Sequence, residues 1–251
     1  MVGGITANVA RNLRLELPLD FLVQIISCVG DDQFAGRVIS ELSNANIDCH
    51  IEQVPGTTSI QEIRIGADGE KQFTNYDEGV LRDFEFSDRQ RAIIESSDVL
   101  MAPVYHQIRG LFDRLMAIDT RGLVCVDFAD FLLHPDFALV EQYNNDIDIA
   151  FFGLSEEETD IISYIAHLAR RSKTMFVVTL AENGSRVFDG LSEYHQPAHP
   201  GGSVVDTTGA GDAYAAGFVA ACLREADINE AMCNGAQLAR RAIANVGAFH
   251  A

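Results

Sequence analysis

The stretch Val204-Val205-Asp206-Thr207-Thr208-Gly209-Ala210-Gly211-Asp212 decides the reading of this chain, together with the Ala213-Tyr214-Ala215-Ala216-Gly217-Phe218-Val219-Ala220 that follows it. A β-branched approach, a glycine turn and a run of small apolar residues predict a strand, a turn and a helix over Gly209–Glu225. Such a turn would aim the amides of Gly209, Ala210 and Gly211 at an anion, with the positive end of the helix dipole behind them. Asp212 falls in the first helical turn, beside that anion hole. A carboxylate is a poor phosphate ligand, because like charges repel. It fits a base that takes a proton from a hydroxyl while the amides stabilise a phosphoryl group in transfer.

Upstream of that turn, short β-rich runs alternate with helical patterns, which predicts an α/β fold with a mostly parallel sheet between helices. The predicted strands are Phe21–Cys28, Asp98–Ala102, Leu123–Asp127, Ile147–Phe152 and Thr174–Leu180. The predicted helices are Gln33–Asn44, Asp88–Ser96, Ile108–Ile118 and Glu156–Arg171, the last opened by a Ser155/Glu158 capping box. A final helix is expected from an Asp227 cap to about Asn245, stopped by Gly247. Residues 51–76 read differently: β-branched runs around Pro55-Gly56 and Asp68-Gly69 predict a small antiparallel hairpin inserted as a lid. An edge hairpin of the main sheet is the alternative. The chain is expected to be one domain over residues 1–251 with that insertion.

The 251 residues, 47% of them hydrophobic, suffice for one large α/β domain. There is no apolar run of about 18 residues and no signal-peptide pattern, so a cytoplasmic protein without membrane contact is expected. A net charge of −19 repels nucleic acid on average and excludes it as an expected partner. The cysteines 28, 49, 125, 222 and 233 are odd in number and lack CxxC spacing, so neither a disulfide framework nor a zinc site is read from them. Cys28 and Cys125 sit in apolar runs and are expected to be buried thiols.

The Asp206–Phe218 run resembles the C-terminal signature of the ribokinase/PfkB carbohydrate kinases. Three other runs agree with that family in order along the chain: Gly3-Gly4-Ile5-Thr6-Ala7-Asn8-Val9-Ala10, Val29-Gly30-Asp31-Asp32-Gln33-Phe34-Ala35-Gly36, and Val178-Thr179-Leu180-Ala181-Glu182-Asn183-Gly184. Two further stretches, Asn75–Phe84 and Val126–Asp130, are similar to the fructosamine-kinase branch of the family, fructoselysine 6-kinases among them. The resemblance implies a ribokinase-like three-layer sandwich with a small β lid. It implies ATP-dependent transfer to a sugar or sugar-amine hydroxyl, with Mg²⁺ and in some members K⁺. Other acceptors (fructose, 2-keto-3-deoxygluconate, a nucleoside) and a nucleotide-binding non-enzyme stay open.

Residue by residue, the resemblance makes Asp212 the base and Gly209, Ala210 and Gly211 the anion hole. Thr179, Ala181, Gly184 and Thr208 fall where the nucleotide lies, with Ala181 in place of the usual glycine. Gly3, Gly4 and Asn8 would meet the sugar. Glu158 would act near Mg²⁺ through water, although Ser155 stands where the family has asparagine. Asp206, with carbonyls of residues 241–247, would hold a monovalent cation. Asp31 and Asp32 read as capping and turn residues. A homodimer through the lid is a family habit. Family members also carry a central strand and a sugar-gripping aspartate before the Gly-Gly, whereas this chain opens Met1-Val2-Gly3-Gly4. A start assigned downstream of the true one is the expectation; a natural short form and a partner chain over the gap are the alternatives.

Overall fold

The computed structural model describes residues 2–65, 71–201, 203–245 and 247. Its centre is a six-stranded sheet. Strands β5 (Val99–Pro103), β6 (Leu123–Asp127), β7 (Ile149–Gly153) and β8 (Met175–Thr179) run parallel in that order. β9 (Ser185–Phe188) and β10 (Glu193–Gln196) extend it antiparallel. Alternation along these strands makes the three layers. Val124, Val126, Ala150, Phe152, Phe176 and Val178 face α4 (Arg109–Met116), α5 (Phe137–Tyr143) and α6 (Thr159–Ala169). Cys125, Ile149, Phe151 and Val177 face α7 (Ala210–Cys222) and α8 (Ile228–Ala242). Both faces are covered, so the strands carry near-continuous apolar runs. The α7–α8 pair packs closely at two glycines: a Cβ on Gly217 would lie 2.8 Å from the Asn234 carbonyl, and one on Gly235 would lie 2.9 Å from that of Tyr214.

The N-terminal part forms a second, two-stranded sheet of β1 (Gln24–Gly30) and β2 (Asp48–Val54), flanked by α1 (Ile5–Glu16), α2 (Ala35–Ser43) and α3 (Asp88–Ser96). β1 does not pair with β5. All of β1 except Gly30 and all of β5 line one cavity of about 2070 Å³. β3 (Ile60–Ile65) and β4 (Lys71–Asp77) form a separate antiparallel hairpin whose Ile60, Gln61, Ile63, Thr74 and Tyr76 also line that cavity. The Asp68-Gly69 turn falls outside the described residues. Residues 51–54 belong to β2, so the hairpin itself begins at Ile60.

Two local expectations are corrected. Residues 203–207 form no strand: Val205 and Asp206 give their amides to the Ile243 carbonyl beyond α8, and Val204 and Val205 stay 63% and 52% exposed. The β-branched pair clasps a helix end where no neighbouring strand offers a ladder. Helix α6 begins at Thr159, with Glu158 as its N-cap and no side-chain cap bond; Ser155 Oγ accepts the Glu157 amide instead of closing a capping box. By contrast, Asp227 caps α8 by accepting the Glu230 amide at 2.9 Å. Asp31 and Asp32 are structural as expected: Asp31 accepts the Gly56 amide, and Asp32 accepts the amides of Phe34 and Thr58 and the Thr58 hydroxyl. Those amide bonds, led by Thr58, hold the Asp32 carboxyl below the usual range. The five cysteines are free, Cys28 and Cys125 buried, and burial pushes the Cys28 thiol up to about 12.

Candidate active site

Helices α1 and α7 pack against each other and bring two sequence-distant side chains together at the cavity. Gly4, at φ 95°, precedes α1, and one turn in, Asn8 is buried. Gly209, at φ 79°, is the N-cap of α7, a left-handed conformation that disfavours any side chain. Asp212 follows in the first turn and is 8% exposed. Asn8 Nδ2 donates to Asp212 Oδ2 at 2.6 Å. Asn8 Oδ1 is buried and has no partner among the described residues. Asn8 itself lines the cavity, as do Gly3, Gly4, Thr208, Gly209 and Asp212.

Burial pushes the Asp212 carboxyl up to about 6, against the lowering effect of the Asn8 hydrogen bond. A second carboxyl shares this neighbourhood. Asp127 ends β6 and keeps part of its surface exposed. The protein packed around it, and then the charge of Asp212, push its carboxyl up to about 8. Both carboxyls are thus raised, that of Asp127 the more. Tyr105, on the loop after β5, is raised by burial and then by the charges of Asp127 and Asp212. Its ring stacks on Tyr76 of the hairpin at 5.9 Å and 28°, which ties the hairpin to the cavity rim.

The amides of the turn are not equivalent. The Ala210 N–H is taken by the Thr207 carbonyl at 3.2 Å, and Thr208 gives its N–H to Asp206 Oδ1 at 3.0 Å. Gly209 and Gly211 open the helix, and a Cβ on Gly211 would meet nothing within 4 Å, so an anion can approach there. Asp206 Oδ2 accepts the Gly247 amide at 2.8 Å, so this side chain joins the turn to the chain after α8.

Thr179, Ala181, Gly184 and Glu158 do not line the large cavity. Thr179 ends β8, and Glu158, Ala181 and Gly184 lie beyond the C-terminal ends of β7 and β8, the same end of the sheet as Asp127 and Tyr105. Ligands of open α/β sheets bind at that end. Glu158 is the half-buried member of three consecutive acids. Ala181 has φ 50°, where a Cβ is strained. Ala181→Gly should therefore raise unfolding free energy by about 0.5–1 kcal/mol, the relief of strain less the extra freedom glycine gains when unfolded. Urea unfolding measures this, and a loss of stability would show that the methyl packs usefully.

Asp127 and Tyr105 stand near the base although neither is among the site residues expected from the sequence. Asp127 ends a strand at the sheet's C-terminal edge, a position where function concentrates, and that was the available signal.

A family profile described as pfkB family carbohydrate kinase matches residues 1–104 and 119–250. The chain is 28% identical over 225 residues to the fructoselysine 6-kinase of Shigella flexneri, covering 89% of this chain and 84% of that protein. It is 27% identical over 232 residues to a fructosamine kinase of Bacillus subtilis, covering 89% and 78%. Among solved structures, a ribokinase from Thermotoga maritima superposes with a TM-score of 0.80 at 20% identity, over 98% of this chain and 82% of that one. This likeness establishes the ribokinase-like fold. No helix among the described residues is long and apolar enough to cross a membrane.

Proposed function

Since the chain belongs to the pfkB family of carbohydrate kinases, we propose that it transfers the γ-phosphoryl group of ATP to a hydroxyl of a fructoselysine-like sugar-amine adduct, with Asp212 as the base. The observation that carries this reading is the buried Asn8–Asp212 pair at the cavity, beside the helix-opening amides of Gly209 and Gly211. The acceptor hydroxyl gives its proton to Asp212 as its oxygen bonds to the γ-phosphorus. The bond from that phosphorus to the β,γ-bridging oxygen breaks, and ADP leaves with the electron pair. The Gly209 and Gly211 amides, with the α7 dipole, would stabilise charge on the transferring group. Ala210 contributes through the turn that holds them. Asn8 would position the base and meet a sugar hydroxyl, with Gly3 and Gly4 at the same wall. Tyr76 and the hairpin would close over the acceptor and exclude water.

Thr179, Ala181, Gly184 and Thr208 would border the nucleotide. A divalent metal carried with ATP, such as Mg²⁺, fits the oxygen-rich run at Glu158, which would reach it through water; when bound it offsets phosphate charge. Asp206 and the residue 241–247 carbonyls fit a monovalent cation such as K⁺ less well. Both Asp206 oxygens accept amides, and the Ile243 carbonyl accepts two. A homodimer through the hairpin would cover the exposed Ile60 and Ile63; light scattering tests it.

The proposal is tested by ADP release with ATP and a panel of acceptors: fructoselysine, fructose, 2-keto-3-deoxygluconate and nucleosides. Fructoselysine should give the highest kcat/KM. Preference for a nucleoside or 2-keto-3-deoxygluconate would overturn the acceptor assignment. Asn8→Ala should shift the acid limb of the kcat/KM profile upward by about one pH unit, because Asp212 loses the hydrogen bond that favours its charged form. An unmoved limb would assign Asn8 to packing alone.

A further inference from the structure

Outside the Asp127–Asp212 pair, His106, Asp130 and His134 form a second cluster of side chains. It sits where the loop after β5 meets the loop after β6, at the sheet's C-terminal edge. One ligand atom from each lies within 4.8 Å of the other two. His106 Nδ1 is 2.8 Å from Asp130 Oδ2, which also accepts the His106 amide at 3.2 Å. The His106 and His134 rings lie 3.6 Å apart between centroids at 45°. The His134 amide donates to the Asp130 carbonyl at 2.9 Å, fixing the spacing of those two residues.

We propose that His106, Asp130 and His134 bind one divalent transition-metal ion of the Zn²⁺ class, independently of the metal that accompanies ATP. Two imidazoles and a carboxylate are the donor set that borderline cations select over oxygen-only sites. With bonds of 2.0–2.1 Å, adjacent tetrahedral ligands stand about 3.3 Å apart, so the observed spacings need only side-chain adjustment. The two histidines are exposed and Asp130 is half-buried, so the ion has an entry path. The neighbouring cation does not oppose it: Arg109 is already paired with Asp136 at 3.0 Å and Asp113 at 2.9 Å. The chain's net charge of −19 favours cation approach. Three protein ligands leave a fourth position for water. Asp130 and His134 also line the large cavity.

A structural reading of the same residues is a His106–Asp130 hydrogen bond with His134 as a bystander. The two readings separate on His134. The whole chain, freed of metal with a chelator, is titrated with Zn²⁺ by calorimetry and with Co²⁺ by visible absorption, without nucleotide. The expected result is one equivalent of Zn²⁺ and the d–d bands of four-coordinate Co²⁺. His134→Ala and Asp130→Asn should each weaken binding by about 100-fold or more and abolish the bands. His134 is exposed, so its variant keeps the fold, which far-ultraviolet circular dichroism verifies. Absence of a one-equivalent Zn²⁺ isotherm, or undiminished affinity in His134→Ala, would overturn the proposal.

Discussion

Asp212→Asn is expected to lower kcat by about 10²–10⁴-fold while the KM for ATP stays within about twofold. The substitution keeps the shape of the side chain, and its amide oxygen can still accept from Asn8 Nδ2, which now lies 2.6 Å from Asp212 Oδ2. What it removes is the lone pair able to take the acceptor's proton. On the proposed reading the nucleotide would meet other parts of the molecule, beyond β7 and β8 and at the α7 amides, so its binding should survive. The wild-type pH profile gives an independent check. Burial lifts the Asp212 carboxyl to about 6, and the base works only when ionised. The value of kcat/KM should therefore fall about tenfold per pH unit below about 6, and that limb should vanish in the variant. Turnover within about tenfold of wild type, or an unchanged acid limb, would remove Asp212 from the role of base.

Strands and helices were legible where a local pattern also matched the tertiary environment. Leu123–Asp127 and Asp88–Ser96 form over the expected residues: one is an apolar run buried in the sheet, the other is closed by a Ser87/Gln90 capping box. Phe21-Leu22-Val23 is as apolar as a strand, yet β1 starts at Gln24 and Leu22 is 71% exposed. Composition cannot say which end of an apolar run reaches the sheet. Residues 203–207 failed as a strand for the related reason that β propensity needs a partner edge. In the candidate site, Asp212 and the glycine turn could be read because they are contiguous. The Asn8–Asp212 bond and the influence of Asp212 on Asp127 arise only when α1, β6 and α7 converge, and no local pattern encodes that convergence. The Ala210 amide shows the converse: the motif promised three donors, and the turn that positions them consumes one.

Replacing Asp127 should alter the pH dependence of stability more than any other single carboxyl change. Its carboxyl rises from 3.8 in the unfolded chain to about 8 in the fold, and that of Asp212 from 3.8 to about 6. Well below 3.8 both are protonated in both states and cost nothing. As pH climbs, the unfolded chain releases two protons that the fold retains, so stability falls until pH passes about 8. Asp32 and Asp189, whose carboxyls are held low, act with the opposite sign and only as pH drops towards their own range. Their effect lies below the interval from 5 to 8, in which Asp127 and Asp212 act. Asp127→Asn cannot ionise, so its advantage over wild type should grow from near zero at pH 4 to on the order of 2–4 kcal/mol above pH 8, at about 1.4 kcal/mol per unit less the screening of its exposed part. Any packing cost of the amide is constant with pH and shifts the whole curve, so the slope is the quantity to read. Urea unfolding of both proteins at pH 5 and pH 8 supplies it. Parallel stability curves would mean that Asp127 titrates like an ordinary surface carboxylate.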